Sequence, residues 1–189
     1  MSLHDIAADA HRIAKERGFE TPSWGNFYTK MAMVGTEILE AIEAMDSPER
    51  SPTTIGYELA DICLRTLDIL HCLTAPGATP GVEGWSEGRV VGRRVPGVPG
   101  GRVAAYMPAP GPFVTPETLF KPVWKHWRGA IEHTRRDERR DAILCLELLL
   151  LEVFRVADAL RLPLLAHLEL KNKANEQRPH LNGKKDPRA

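Results

Sequence analysis

Glu37-Ile38-Leu39-Glu40 and Glu58-Leu59-Ala60-Asp61 decide how this chain is read. Each is a pair of carboxylates three residues apart. In a helix, positions i and i+3 share a face one turn apart, so each pair would stand side by side. The flanks favour helix. Met31, Met33, Val34, Ile38, Leu39 and Ile42 surround the first pair, and Ile55, Leu59, Ile62, Leu64, Leu67 and Leu70 surround the second. Helices this apolar pack against each other, and two placed antiparallel bring four acidic groups together.

Four convergent carboxylates repel. Two unit charges about 5 Å apart at an effective dielectric of about 20 cost roughly 3 kcal/mol, and four groups make several such pairs. A divalent cation removes that cost. An all-oxygen site suits Mg²⁺ or Mn²⁺, since zinc favours thiolates and imidazoles. The alternative is that these acids simply face solvent, as most helical glutamates do. Glu138-Arg139-Arg140-Asp141 has the same spacing but sits in a charge run, and it reads as a solvated face.

The 189 residues are enough for one domain with a proper core, spanning 1–189. Apolar residues are 43% and charged residues 26%, and the formal net charge is zero, which argues against a nucleic-acid or membrane-surface protein. Cys63, Cys72 and Cys145 are odd in number and form no CxxC, so they read as reduced core residues of a cytoplasmic protein. The first ten residues contain acids and no apolar run, so no signal peptide is expected. The leucine run 148–151 is too short to cross a bilayer.

Ser2 or Asp5 caps a first helix running to about residue 17, with Gly18 as its stop. A polar connector over 20–26 leads to a second helix over about 27–45 and a third over about 54–73, with Thr53 or Thr54 as N-cap. Residues 75–116 then hold nine glycines and eight prolines in 42 positions, a density through which no amphipathic helix can be written. Two β-prone runs, 89–91 and 102–106, flank the turn-forming Pro96-Gly97-Val98-Pro99-Gly100-Gly101. They read as a β-hairpin or flap, or else as a linker. Helix resumes at Pro116 and runs to about 134, with Trp124 and Trp127 as core or interface residues. A helix over 137–160 is apolar almost all round, which suggests the centre of a bundle or an oligomer interface. Arg161-Leu162-Pro163 breaks it, and a last helix covers 164–176. The tail past about 185 is expected to be loose.

Lys171, Asn175 and Arg178 form a second informative group. Lys171 and Asn175 are four apart on one helix face, and Arg178 follows before Pro179 stops the helix. An ammonium, an amide and a guanidinium in a row suit phosphate oxygens; a fraying basic terminus is the plainer reading.

The acidic and basic stretches together resemble the MazG-like all-α nucleoside triphosphate pyrophosphohydrolases. Glu37xxGlu40 followed by Glu58xxAsp61 is similar to their ExxE and ExxD motifs, in the context Gly35-Thr36-Glu37-Ile38-Leu39-Glu40-Ala41 and Glu58-Leu59-Ala60-Asp61-Ile62. Lys171xxxAsn175xxArg178-Pro179, with Gly183-Lys184 beyond, resembles the family's C-terminal motif. The resemblance covers about 20–73 and 140–184 and leaves 75–116 as an insertion between the third and fourth core helices. One departure is Asn182, where the family usually has His before Gly-Lys; a hydrogen-bonding role remains open to it. Glu40xxGlu43 also fits the acidic spacing, but the flanking residues favour Glu37 and Glu40, with Glu43 as an auxiliary ligand.

The resemblance implies an all-α MazG-like bundle, assembled as a homodimer or tetramer, that cleaves a nucleoside triphosphate between its α- and β-phosphates. Mg²⁺, or Mn²⁺, would be held by Glu37, Glu40, Glu58 and Asp61, with Glu40 or Asp61 also acting as general base. Lys171, Asn175, Arg178, Lys30 and Lys184 would hold the substrate, and Trp24, Asn26 and Phe27 would shape a base pocket unless Trp24 is simply core. Two other readings stand beside this: a catalytically silent nucleotide- or metal-binding oligomer, and a relative acting on another nucleotide such as phosphoribosyl-ATP. No glutamate is followed at i+3 by histidine, which argues against a ferritin-like di-iron bundle. His71, beside Cys72, reads as a helix-end residue rather than a ligand. No Walker-type glycine loop and no nucleophile elbow occurs.

Overall fold

The computed structural model describes residues 3–74, 85–86, 89–90 and 115–179. Among these the chain is all-α, with six helices: α1 (Leu3–Glu16), α2 (Phe27–Asp46), α3 (Pro52–Leu73), α4 (Pro116–Arg135), α5 (Arg139–Ala159) and α6 (Leu164–Glu176). A two-stranded ribbon, β1 (Trp85–Ser86) and β2 (Arg89–Val90), lies between α3 and α4. Every expected helix is present, with ends within two or three residues of those read from the pattern.

The helix ends follow local chemistry. Ser51, rather than Thr53 or Thr54, caps α3: its side chain accepts from Thr54 N at 3.1 Å and Pro52 takes the first position. Proline has no N–H to cap, so the side chain ahead of it serves the donor three residues on. Thr115 caps α4 in the same way, accepting from Thr118 N at 3.3 Å. Three helices end in one hydrogen-bonding pattern. After α1, Phe19 N reaches Ala14 O and Gly18 N reaches Lys15 O. After α4 and α5 the equivalent bonds run from Glu138 and Asp137 to His133 and Thr134, and from Leu162 and Arg161 to Ala157 and Asp158. This six-to-one and five-to-two closure needs a left-handed residue. Gly18 (φ 82°) supplies it without strain, whereas Asp137 (φ 59°) and Arg161 (φ 57°) adopt it at a cost of about 1–2 kcal/mol each.

The centre of the bundle is α3. It packs against α1, α2, α5 and α6, and α4 completes the structure by pairing with α5 and α2. The apolar girth of α5 predicted that α5 itself would hold this place, or else an interface. The difference lies in how completely each helix is covered. On α3, Leu59, Ile62, Cys63, Leu67 and Leu70 are all buried together with the small Gly56 and Ala60. On α5, Leu146, Leu149, Leu150 and Val153 are buried but Leu144 is 38% exposed.

Two close approaches set the spacing of the helices. A side chain at Gly56 would meet the His167 ring at 2.4 Å, so α6 rests directly on the backbone of α3. Trp127 lies over Gly35 and donates its indole N–H to Met31 O at 2.7 Å, fastening α4 to α2. Trp124 and Trp127 meet edge to face, ring centroids 5.1 Å apart, so both belong to this packing.

The ribbon departs from expectation. Arg89–Val90 is a strand, but it pairs antiparallel with Trp85–Ser86, in the register Trp85 to Val90 and Ser86 to Arg89. Pairing across two intervening residues closes a far shorter loop than pairing with 102–106. The 102–106 run and the turn over 96–101 lie outside the described residues.

Candidate functional site

The apolar stripes that drive α2 and α3 together leave the two acidic pairs on the edges of their contact. Four helices, α1, α2, α3 and α6, enclose a cavity of about 610 Å³ there. Glu37, Glu40, Glu58 and Asp61 all line it, and so do Lys30, Lys171, Asn175 and Arg178. Acids from the first third of the chain and basic groups from near its C-terminal end thus face one space.

The four acids are not equivalent. Glu37, Glu40 and Glu58 each offer a carboxylate oxygen, and these three atoms lie within 4.8 Å of one another. Glu37 is 6% exposed, and its Oε1 accepts from Arg65 Nε at 2.6 Å. Glu40 is exposed at the mouth. Asp61 is held differently: Lys171 Nζ lies 2.6 Å from its Oδ2, and the same ammonium stands 5.4 Å from the centre of the Tyr57 ring. Lys171 is therefore clamped between a carboxylate and an aromatic face.

Burial shapes the electrostatics. It pushes the Glu37 carboxyl above the ordinary range, opposed by Arg65 and reinforced by Glu40. It does the same to Glu58, where Asp61, Glu37 and Glu40 add and Lys171 opposes. Asp61 is also raised, because desolvation outweighs its bond to Lys171. Three acids that resist ionisation around one space accept a cation readily, because the ion relieves both desolvation and mutual repulsion. The donor set, all carboxylate oxygen, fits a hard divalent cation such as Mg²⁺ or Mn²⁺.

Polar groups on the α6 side point the same way. Asn175 Oδ1, Asn172 Nδ2 and Arg17 Nε are buried without a hydrogen-bond partner among the described residues. All three residues line the cavity. Buried polar atoms are seldom left unpaired in a protein that has no ligand for them. Lys30 Nζ donates to Glu20 O at the cavity wall. Arg178 is exposed at the rim.

Other expected residues fall elsewhere. Glu43 is exposed and does not line the cavity. Trp24, Asn26 and Phe27 build the α1–α2 connection instead of a base pocket. Trp24 stacks on the buried Phe27 at 5.4 Å, and Asn26 accepts from Ser23 N and donates to Thr21 O. Lys184 and Asn182 lie outside the described residues. Glu138 and Asp141 are exposed, as a solvated face requires.

Arg65, Asp68, Asn172 and Arg17 line the cavity without having been singled out in the sequence. Arg65 and Asp68 carried a usable signal. Arg65 is seven residues after Glu58, and Asp68 is seven after Asp61, so both share the acidic face of α3. No local pattern marks Arg17 and Asn172; only the docking of α1 and α6 brings them in. No helix among the described residues is long and apolar enough to cross a membrane.

The fold and cavity define a class: an all-α bundle with an acidic, cation-ready pocket faced by basic groups. Comparison with protein-family models, with curated proteins and with solved structures found no match to this chain.

Proposed function

We propose that this protein is a Mg²⁺-dependent nucleotide pyrophosphohydrolase of the MazG-like kind, converting a nucleoside triphosphate and water to the monophosphate and pyrophosphate. One observation carries the reading: a single cavity has three clustered carboxylates on one wall and Lys171, Asn175 and Arg178 on another. A metal-bound polyphosphate presents that pairing of charges. The resemblance of the acidic and basic motifs to that family supports the same reading.

Glu37, Glu40 and Glu58 would hold the ion. A bound Mg²⁺ would polarise phosphoryl oxygens and lower the pKa of a coordinated water. The protein's own groups do the rest. Asp61, raised by burial, is a better base than an exposed aspartate and is suited to take a proton from the attacking water, as is Glu40 at the mouth. Lys171 neutralises Asp61 until phosphate enters and can then share its charge with the phosphate oxygens. Arg178 meets the outer phosphates at the rim, and Asn175 Oδ1 accepts from a ligand hydroxyl. Arg65 fixes Glu37 in place, so the carboxylate is oriented before the ion arrives. Assembly into a dimer or tetramer belongs to this reading and would cover the exposed Tyr28, Leu39 and Leu170.

The test is a panel of ribo- and deoxyribonucleoside triphosphates with Mg²⁺ or Mn²⁺, assayed for pyrophosphate. At least one nucleotide should be cleaved, and Glu40→Gln and Asp61→Asn should each reduce turnover at least about 100-fold while helical circular dichroism is kept. Binding of nucleotides without pyrophosphate release from any of them would mean a silent binding protein instead.

A further inference from the structure

Where α1 crosses the C-terminal half of α3, a second group of metal-binding side chains converges. His11 Nδ1 lies 2.8 Å from Asp68 Oδ1 and 3.2 Å from Cys72 Sγ, and Cys72 Sγ is 3.9 Å from the same Asp68 oxygen. Helix periodicity explains the meeting. Asp68 and Cys72 are four apart on one face of α3, and α1 lays His11 between them through its buried seam of Ile6, Ala7, Ala10 and Ile13. Asp68 is seven residues past Asp61, about 10 Å further along the helix. From Glu58 the offset is ten residues, about 15 Å, so the cluster stands apart from the three clustered glutamates even though Asp68 also lines the cavity.

The cluster is poorly served by hydrogen bonds alone. Asp68 and Cys72 both approach the same ring nitrogen of His11, and one nitrogen carries at most one proton. If Nδ1 is protonated, Asp68 accepts it and the thiol is left with a 3.9 Å contact. If Nδ1 is bare, the thiol can donate to it, but the carboxylate then faces a lone pair at 2.8 Å. Sharing one nitrogen also excludes a nucleophilic relay, in which cysteine and carboxylate must use opposite nitrogens of the imidazole. Burial and the neighbouring Asp68 moreover hold the Cys72 thiol up at about 12, with Lys30 opposing, so it is no ready nucleophile.

A cation resolves the conflict. A tetrahedral Zn²⁺ bound at about 2.0–2.3 Å needs ligand atoms about 3.3–3.6 Å apart. The observed separations reach that by shifts of about half an ångström. One nitrogen, one carboxylate oxygen and one sulfur form a borderline-soft donor set that suits zinc over magnesium. Thiolate and carboxylate together carry two negative charges, which balance the ion. The side chains of His11 and Asp68 are 21% and 15% exposed, so an ion can reach them from solvent. A fourth donor stands close by, since the His71 ring centroid is 5.2 Å from that of His11.

We propose that His11, Asp68 and Cys72 form a binding site for one Zn²⁺ ion that pins α1 to α3, with His71 or a water in the fourth position. Binding releases the thiol proton, and any proton on His11 Nδ1, to solvent. The site does not depend on the hydrolytic activity proposed above.

The test uses the full chain stripped of metal with a chelator. Zn²⁺ affinity is measured by competition with a chromophoric chelator, and Co²⁺ is added separately as a spectroscopic probe. With Mg²⁺ in excess to fill the glutamate site, one equivalent of zinc should bind, and Co²⁺ should give a thiolate-to-metal charge-transfer band. Cys72→Ser should abolish the band. His11→Gln and Asp68→Asn should each weaken zinc binding about tenfold or more. Glu40→Gln should change neither reading. Because Cys72→Ser could perturb packing, His11→Gln at a partly buried α1 position serves as an independent check. Zinc should raise the melting temperature of the wild-type protein more than that of His11→Gln. Absence of the cobalt band in the wild type, its survival in Cys72→Ser, or loss of zinc binding in Glu40→Gln would each overturn the assignment.

Discussion

Glu58 shows how a single side chain couples the site to stability. Burial, with three neighbouring acids, raises its carboxyl above the ordinary value of 4.5. An acid whose pKa is higher folded than unfolded adds stability below its unfolded value, and that stability is lost as pH rises through the folded value. As pH rises to 7 without divalent ions, the folded protein therefore bears a growing cost of ionising Glu58. Glu58→Gln should raise the melting temperature there. Well below pH 4.5 the two proteins should converge, because wild-type Glu58 is then protonated in both states. A variant less stable at pH 7 in chelator would mean that Glu58 is held by attractions rather than strained by repulsion. Glu37 would not serve for this measurement, since its amide analogue also loses the 2.6 Å pair with Arg65.

Between elements, the decisive contact is α6 on α3. Gly56 allows the His167 ring to touch the α3 backbone, and Lys171 follows His167 by one turn of α6. That register sets Lys171 beside Asp61. Gly56→Ala would place a methyl group 2.4 Å from His167 Nε2, so α6 must move or the ring must leave its pocket. The expected loss is about 1–3 kcal/mol in urea unfolding. His167→Ala should recover a large part of it when the two changes are combined, because only the clash couples them. Additive losses in the double variant would show that His167 is not what Gly56 accommodates. The α2–α4 contact obeys the same rule, with Trp127 over Gly35.

At the scale of the whole molecule, residues 75–115 separate α3 from α4 in the sequence and hold none of the motifs that read as a site. If the chain assembles as proposed above, their valines and the marginal stability of an isolated ribbon give the expectation that they cover a surface between subunits. Replacing 78–112 with a short Gly/Ser linker should lower the assembly mass in light scattering and leave pyrophosphate release per site unchanged. Intact assembly with a much higher KM would instead make the segment a flap over the site. The sequence by itself determined the six helices, because apolar period, caps, glycine stops and proline breaks act within a few residues. It also determined the two acidic pairs and the Lys171–Asn175 face, since residues three or four apart must share a side of a helix. Only the tertiary structure decided that α3 rather than α5 is central, that Arg65 takes Glu37 while Lys171 takes Asp61, and that three acids cluster instead of four. It alone brought His11 to Asp68 and Cys72. A helical pattern says which residues lie on one face, but the rotation and offset of one helix against the next depend on the whole core. Here they rest on contacts as distant in sequence as Gly56 with His167 and Gly35 with Trp127.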